Sequence, residues 1–426
     1  MINIIKEKVI KLIKTGFFSI FIANVFSKVI ALFGGIVLVR FLSKEDYGIY
    51  SYAINAMTIL YLLNDFGAST AALQYLTEAQ NDKTKQQAIL KYALKIGLLG
   101  SAFSGILIFL SPLFYPFKIE EARYLTPILC LEPLLTNVSY FISSLLRANQ
   151  KNNRYAIVEF SKTFFCYFTL IIGAIFFGII GAIISRYICN ILTLIIGIIC
   201  SKNLIDIKNK NNKLEKKEKK EFFNYSIITQ LSNTIGGILL NIDIFLIGIL
   251  IGTSTAVASY KVASTIPLAL SFLPTCVTVY ILPYFIRYKD DKSWVKTNYY
   301  KLIKYGSIVY GMISLVLIIF ANLIFKIIYT DLYCDAVLPF RILIIGFFFS
   351  STFKIPTWNI VASMRKVKVN LYISIFSVVS NFILNIVFIM FLGITGIAIT
   401  TTLVNIMSSI ILMLYVNRLL KRRKKI

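Results

Sequence analysis

The stretch 369–417 contains no charged residue, and this constrains the chain more than any other feature. At 1.5 Å per residue, one helix of that length would far exceed the ~30 Å hydrocarbon core of a bilayer. Gly393 and Gly396 lie near its middle, at a spacing typical of a tight turn. The stretch therefore predicts a helical hairpin that crosses a membrane twice.

Other charge-free stretches, each long enough for one crossing, occur along the chain at 96–117, 222–242, 262–286 and 305–325. Hydrophobic residues make up 58% of the chain and charged residues 15%, against about 45–50% and ~25% in soluble domains. A soluble enzyme with a single membrane anchor is excluded, because so apolar a chain leaves no segment for a soluble domain. A disordered chain is excluded by the 34 Phe and 25 Tyr residues. We predict twelve spans, at 16–39, 48–77, 88–114, 122–146, 155–177, 179–200, 222–250, 257–286, 299–329, 336–363, 369–391 and 394–417.

The basic residues predict the orientation. With the N-terminus placed in the cytoplasm, 33 of the 45 Lys and Arg residues fall in cytoplasmic segments and six fall on the opposite face. This asymmetry follows the positive-inside rule and places both termini in the cytoplasm. The net charge of +26 then reflects topology and attraction to anionic lipid, not a nucleic-acid surface. The Lys-rich start runs into the first span, and we expect no cleaved signal peptide.

Several chemistries are excluded by missing residue types. The chain has no His, which removes a Ser-His-Asp triad and a His-ligated metal site. It has no Gly-Lys pair and therefore no P-loop. Its six Cys form no CxxC pair and lie mostly in apolar runs. We expect them to be small buried hydrophobic residues, and we expect neither a metal site nor a disulfide framework.

A polar, lysine-rich segment divides the chain into two halves. We predict an N-terminal six-helix lobe over 1–200, a cytoplasmic linker over 201–221, a C-terminal six-helix lobe over 222–417 and a basic cytoplasmic tail over 418–426. The predicted fold class is an all-α polytopic membrane protein, with twelve transmembrane helices in two pseudo-symmetric lobes around a central cleft.

The two halves resemble each other at an offset of about 210–215 residues. Four short matches stand in register: Gly178–Ser185 with Gly393–Thr400, Leu146–Lys151 with Ala362–Lys366, Asn81–Lys83 with Asp290–Lys292, and Tyr50 with Tyr260. Because six spans is an even number, the repeats share one orientation. Parallel repeats of this kind are typical of transporters whose lobes rock around a central site.

Three motifs resemble a known family. The segment after the first span contains Arg40, Asp46, Tyr47, Gly48 and Tyr50 in the pattern of a first outer loop. Two more motifs are the Asn-Asp-Phe-Gly run that ends at Gly67, and Leu-Leu-Arg-Ala-Asn around Arg147. Together they resemble the bacterial polysaccharide transporters, the O-antigen and capsule repeat-unit flippases of the multidrug/oligosaccharidyl-lipid/polysaccharide exporter superfamily.

The resemblance implies a function. The substrate would be an undecaprenyl-pyrophosphate-linked oligosaccharide, moved by alternating access from the cytoplasmic to the outer leaflet of the bacterial inner membrane. Such a protein is not an enzyme and needs no cofactor beyond a coupling proton or sodium ion. A polysaccharide polymerase and glycosyltransferases are the expected protein partners in making O-antigen, lipopolysaccharide or capsule, and no nucleic acid is involved.

Charged residues inside spans are costly and are candidates for function. Lys28 in span 1 and Lys261 in span 8 are candidates to contact the pyrophosphate, since spans 1, 2, 7 and 8 line the cleft in relatives. The alternative is that they pair with Asp65 and Asp243. Asp65, in the family-like motif, either binds the coupling ion or orients Lys28, and Asp243 is the second candidate for a coupling carboxylate.

Further in-span charges leave alternatives open. Arg186 either meets Glu132 or Glu159, or faces the glycan. Lys354 is a further candidate to bind the substrate. It precedes Pro356, which interrupts helical hydrogen bonding and is able to open a cavity wall. Tyr47, Tyr50 and Tyr52 are weaker candidates for stacking on sugars, because most tyrosines pack or form interfacial belts.

Two rival functions remain. A drug or organic-cation exporter of the same superfamily would favour an acidic or aromatic cleft, whereas the in-span charges here are six basic against four acidic. A membrane-embedded polysaccharide polymerase would need a sizeable outer loop, and the longest predicted outer loop has about 10 residues.

Overall fold

The computed structural model describes residues 17–62, 64–202, 204, 214–288, 290–364 and 366–421, and these are helical nearly throughout, with no β-strand. The helices are α1 (Phe17–Phe41), α2 (Lys44–Tyr61), α3 (Ala68–Glu78), α4 (Lys83–Phe109), α5 (Ser111–Phe114), α6 (Glu120–Leu125), α7 (Glu132–Ala148), α8 (Asn152–Ser201), α9 (Lys216–Leu246), α10 (Ser254–Leu270), α11 (Phe272–Arg287), α12 (Lys292–Ile319), α13 (Ala321–Ile328), α14 (Val337–Phe349), α15 (Ile355–Ser363) and α16 (Val367–Lys421).

The longest helices, α8 and α16, are hairpins. Each contains one glycine with left-handed φ and strongly non-helical ψ: Gly178 at φ 57° and ψ −141°, and Gly393 at φ 54° and ψ −134°. In α8 the two arms run antiparallel, because the Thr169 hydroxyl donates to the Ser185 carbonyl at 3.1 Å. Only glycine adopts this backbone without strain. The hairpin predicted at Gly393 is confirmed, and its counterpart in the other half has the same form.

Eight more passes of the described chain complete the transmembrane count. By length and composition, eight helical stretches are able to cross a membrane, and the bent pair of α7 with residues 120–129 makes a ninth. Two of the eight are the hairpins, which cross twice. The second predicted span, α2 with α3, is broken and less apolar. With it the described chain has twelve passes, and the predicted twelve-helix all-α fold is confirmed.

The internal repeat is visible in how equivalent helices begin. Asp82 caps α4 by accepting the Lys85 amide at 3.0 Å, and Asp291 caps α12 by accepting the Trp294 amide at 2.9 Å. Each cap satisfies one of the free amides of a helix N-terminus. The two caps lie 209 residues apart, in the register predicted from the sequence match.

Two compact units divide the chain, 1–237 and 238–426. The division falls within α9, because the first part of this helix packs with the N-terminal unit. The lobe limits 1–200 and 222–417 stay predictions. Residues 203 and 205–213 of the predicted linker lie outside the described residues, as do 1–16 and 422–426.

The interior of each unit follows the packing of membrane helices. In the N-terminal unit small residues allow close approach of helices, for example Ala68, Ala72 and Ala93, which are fully buried. In the C-terminal unit the core includes Tyr299 and Leu412, also fully buried. Many large apolar side chains are instead exposed, as expected where lipid replaces water as the solvent.

Candidate functional site

The family-like motif in span 2 forms a break between α2 and α3. Asp65 and Phe66 adopt left-handed φ angles of 53° and 49°, which is uncommon for residues other than glycine. The buried Asp65 carboxylate accepts the Gly67 amide at 2.8 Å and the Ser69 amide at 3.0 Å. These bonds hold the strained turn and cap α3, so Asp65 has a structural position here.

The carbonyls released by this break are bonded by the first part of α9. Ser226 donates its hydroxyl to the Phe66 carbonyl at 2.6 Å. Gln230 and Thr234 donate to the Leu62 carbonyl at 2.5 and 2.9 Å. The three donors follow one another at intervals of four residues, along one face of the helix. A break at membrane depth is tolerated when neighbouring helices supply such partners.

Lys28 and Lys261 do not pair with the carboxylates. Asp65 bonds the backbone amides described above, and Asp243 bonds neutral side chains. Lys28 is exposed and Lys261 is half-buried. Within the described residues neither ammonium lies within ion-pair distance of a carboxylate, so the pairing alternative is wrong.

Asp243 lies at the centre of a polar cluster in the C-terminal unit. One carboxylate oxygen accepts the Tyr260 hydroxyl at 2.5 Å and the Thr401 hydroxyl at 2.8 Å. The other accepts the Asn385 amide at 2.9 Å, and that amide also donates to Asn381 at 2.8 Å. The carboxylate thus has several hydrogen bonds from neutral groups but no basic partner among the residues that the structure describes. A buried carboxylate without a counter-charge is costly, and this is the situation in which a cation binds favourably.

Sequence reasoning missed Asn381 and Asn385. Both are buried, and the Asn385 carbonyl oxygen has no hydrogen-bond partner. The available signal was their spacing of four residues in a charge-free span, which places both amides on one face of the helix. Both side chains are neutral, so the criterion of in-span charge does not select them.

Arg186 and Glu132 form a buried ion pair in the N-terminal unit. The Arg186 Nε donates to one carboxylate oxygen at 2.7 Å, and Nη2 donates to the other. This two-pronged geometry suits guanidinium and carboxylate and strengthens the pair. Tyr50 lies close enough to interact electrostatically with both charges. Of the alternatives for Arg186, the contact with Glu132 is confirmed.

Glu159, the other predicted partner, accepts the Ser143 hydroxyl at 2.9 Å. Lys162, one turn later on the same helix, lies 4.2 Å from the centre of the Tyr140 ring. Each of the two charges thus has a neutral partner of its own, in addition to the electrostatic attraction between them.

Lys354 ends a π-helical turn at Ser350–Lys354, just before Pro356. Its ammonium donates to the Asn405 side-chain oxygen at 3.1 Å, which links this turn to α16. The residue is half-buried and has no carboxylate partner among the described residues.

The remaining motif residues have structural positions. Ser43 caps α2: its Oγ accepts the Asp46 amide at 3.0 Å, and its hydroxyl donates to the Asp46 carboxylate at 2.8 Å. Tyr47, Gly48 and Tyr50 are buried, as is Tyr52, which favours packing over contact with sugar for the three tyrosines. Arg40 is exposed, and the exposed Arg147 lies 5.4 Å from the centre of the Tyr155 ring.

Comparisons with known proteins place the chain in a family. Residues 13–289 match the family described as polysaccharide biosynthesis protein. Stage V sporulation protein B of Bacillus subtilis (strain 168) is 24% identical over 288 residues, which cover 64% of this chain and 55% of that protein. The chain therefore matches about half the length of this relative.

Two solved structures share the fold. An inward-facing multidrug resistance MATE family transporter of the MOP superfamily has a TM-score of 0.78 at 15% identity, over 92% of this chain and 94% of that one. The lipid II flippase MurJ in an inward closed conformation has a TM-score of 0.74 at 16% identity, over 93% and 87%. The chain therefore belongs to the polysaccharide biosynthesis protein family and has the fold of the MOP superfamily.

Proposed function

We propose that the chain is a flippase for an undecaprenyl-pyrophosphate-linked oligosaccharide, which it moves from the cytoplasmic to the outer leaflet by alternating access. Membership of the polysaccharide biosynthesis protein family and a fold shared with a lipid II flippase support this proposal. No covalent bond is broken in the proposed step, so the protein acts as a transporter and not as an enzyme.

The observation that carries the proposal is that Lys28 and Lys261 have no carboxylate partner among the described residues. Each of these two lysines lies within a predicted span. Lys354 also has no carboxylate partner there, but its ammonium donates to Asn405.

An unpaired cation in a membrane span is costly unless it serves an anionic ligand or reaches water. A pyrophosphate is a suitable ligand, because ammonium groups replace the water that it loses. Arg186 is less suited to this role, since Glu132 already neutralises it.

Asp243 is the proposed coupling carboxylate. Its cluster offers a negative charge together with the neutral oxygens of Thr401 and Asn385, and the latter is unpartnered. A proton or a sodium ion would neutralise the carboxylate, and exchange of that ion would reset the transporter. The membrane potential, negative inside, adds about 2.3 kcal/mol per charge per 100 mV to outward movement of an anion.

The proposal is tested in a deletion strain that accumulates the lipid-linked repeat unit on the cytoplasmic leaflet. We expect the wild-type chain to restore surface polysaccharide, and the double variant Lys28→Ala/Lys261→Ala to fail while reaching the membrane in normal amounts. Lys95→Ala, which removes an exposed in-span lysine, is the matched control and should complement. Full complementation by the double variant would refute the assignment of the two lysines.

The same strain tests the rival function. If the chain is instead an organic-cation exporter, its deletion should change drug sensitivity and should not cause lipid-linked oligosaccharide to accumulate on the cytoplasmic leaflet. The fold does not separate the two functions, because a multidrug transporter shares it. The family match favours the flippase.

The proposed location is the bacterial inner membrane, with both termini in the cytoplasm. Fusions of a cytoplasm-dependent fluorescent protein to each terminus should fluoresce, and fusions of a periplasm-dependent phosphatase should be inactive. The opposite pattern would reverse the orientation. A polysaccharide polymerase and glycosyltransferases remain the proposed partners, to be sought by crosslinking in the native strain.

A further inference from the structure

A cavity of about 470 Å³ lies within the C-terminal unit, away from the Asp243 cluster. Its walls are α11 and the first half of α12, and its floor includes Thr352 of the π-helical turn and Pro356. This volume is in the range of cavities that hold small ligands. The proposed transport mechanism makes no use of this cavity.

The α12 wall changes in polarity along one face of the helix. Trp294, Asn298, Lys301, Tyr305 and Val309 all line the cavity and follow each other at steps of three or four residues. Polar groups therefore lie at the start of the helix, and apolar groups lie deeper. This gradient matches an amphiphile whose charged head lies at the membrane surface and whose chain points into the bilayer.

The opposite wall is apolar. Val277, Ile281 and Phe285 of α11 line it at intervals of four residues. Trp294 stacks on Tyr288 with ring centres 4.6 Å apart and packs edge-on against Phe285 at 5.4 Å. Indole and phenol rings gather at the level of lipid headgroups, so this end of the cavity lies at the membrane interface.

The head position carries a positive charge. Lys301 is exposed and, among the described residues, has no carboxylate partner. Basic pockets between membrane helices bind anionic lipid headgroups in this way. In the predicted orientation this end of α12 faces the cytoplasm.

A second polar group lies deeper in the cavity. Thr352 is fully buried, and its hydroxyl has no hydrogen-bond partner in the described part of the protein. It lies beside Gly306, where an added Cβ would be 4.0 Å from the Thr352 methyl group. Gly306 follows Lys301 by five residues, which is about 7–8 Å along the helix. A buried hydroxyl without a partner costs free energy, so an acceptor on a ligand would stabilise it.

We propose that this cavity binds an anionic glycerophospholipid of the bilayer, with its phosphate at Lys301, an ester carbonyl at Thr352 and an acyl chain between α11 and α12. The depth of Thr352 below Lys301 corresponds to the position of an ester group below a phosphate. An isoprenoid carrier has only hydrocarbon below its phosphate and would leave the Thr352 hydroxyl unpaired. The site goes beyond the proposed flippase function and does not depend on it.

The test uses the full chain, purified in detergent and titrated with phosphatidylglycerol, phosphatidylcholine or undecaprenyl phosphate. Bound lipid is counted by native mass spectrometry, and thermal stability is measured in parallel. We expect phosphatidylglycerol to bind and to raise Tm, Lys301→Gln to weaken its binding about tenfold, and Lys304→Gln to leave binding unchanged. Lys304 is the matched control, because it is an exposed lysine one turn away that does not line the cavity.

Thr352→Val separates a binding role from a structural one. The variant removes an unpaired buried hydroxyl, so the lipid-free protein should keep or increase its Tm. The rise in Tm with phosphatidylglycerol should nevertheless become smaller. Val309→Trp, which fills the cavity from α12, should abolish the effect.

Three outcomes would overturn the proposal. The first is equal phosphatidylglycerol binding by the wild type, Lys301→Gln and Val309→Trp. The second is equal binding of phosphatidylcholine by the wild type, since a zwitterionic lipid has no need of Lys301. The third is displacement of phosphatidylglycerol by undecaprenyl phosphate, which would assign the cavity to an isoprenoid chain.

Discussion

The two units have an inner polar site at corresponding positions, and the sites differ in charge. Tyr50 and Tyr260 correspond in the repeat, and so do Arg186 and Thr401. In the N-terminal unit Arg186 neutralises a carboxylate directly. In the C-terminal unit Thr401 gives the Asp243 carboxylate only a neutral hydrogen bond. Within the described part of the chain, the repeat thus contains one ion pair and one carboxylate without a counter-charge.

This difference indicates how duplicated halves acquire different tasks. A buried ion pair is satisfied internally and is costly to open. A buried carboxylate with neutral partners retains a net charge, and its free energy falls when a cation arrives. We therefore expect the N-terminal site to maintain structure and the C-terminal site to respond to an ion.

The strongest test of this comparison is Asp243→Asn. The variant keeps the size of the side chain and removes its charge, so ion coupling should be lost while the protein still folds. We expect transport to fall about 5- to 150-fold, the usual range of coupling between two ligands. Flipping of the repeat unit in the deletion strain, measured with and without sodium and at two pH values, provides the readout.

Ser408→Ala is the control for this variant, because Ser408 is buried on α16, the helix that carries Asn385 and Thr401, and bonds only backbone carbonyls of its own helix. It should transport normally. If Asp243→Asn transports at the wild-type rate and amount, the C-terminal cluster is structural and the comparison fails.

In the N-terminal unit, Glu132→Gln should act on stability. It leaves Arg186 buried without its counter-charge, a loss of about 3–5 kcal/mol in the free energy of unfolding. The double variant Glu132→Gln/Arg186→Gln removes both charges and should recover much of this loss. Thermal unfolding in detergent measures both. A double variant that is stable but inactive in transport would show that Arg186 contacts the substrate instead.

Substitution of the hairpin glycine should lower the free energy of unfolding equally in both units, whereas substitutions at the polar sites should differ between the units. Gly178→Ala and Gly393→Ala meet no neighbouring atom within 4 Å, but both require a backbone that alanine avoids. We expect each to lower the free energy of unfolding by about 1–3 kcal/mol. Gly236→Ala, a helical glycine with open space around it, is the control and should be neutral or slightly stabilising. Unequal losses would indicate that the hairpins are not equivalent.

The smallest effect is expected at the helix caps. Hydrogen bonds from the Thr84 hydroxyl and the Lys85 amide lower the pKa of Asp82 below its ordinary value. Its stabilisation is therefore present above that ordinary value and is lost as the pH falls through the lowered pKa. We expect Asp82→Asn to lower Tm slightly at neutral pH. The difference from the wild type should shrink at acidic pH, and a difference that is constant from pH 7 to pH 3 would contradict the capping role.

The fold was predictable because lipid imposes a simple rule on sequence. Charge-free stretches and the positions of Gly178 and Gly393 indicated the passes and the hairpins, since every backbone group in lipid must be bonded within a helix. The capping aspartates Asp82 and Asp291 were visible as matched sequence positions for the same local reason.

The contacts of the site were less predictable. Arg186 meets a residue 54 positions away, and Asp243 meets Asn385 across 142 positions. Which of several charges lies opposite depends on the rotation of each helix about its axis, and hydrophobic length does not determine that rotation. The partners of Asp65 were unpredictable for another reason. They are backbone amides released by a local break in the helix, and no composition pattern marks such a turn.

The form of α16 has a consequence for how the protein is made. Its two arms are joined at Gly393 with no charged residue between Lys368 and Arg418. No charged residue of the arms or their turn therefore has to cross the membrane during synthesis. The two arms are able to leave the translocation channel together as one unit. Holding Lys368 and Arg418 on the same side of the membrane then fixes the direction of both arms at once.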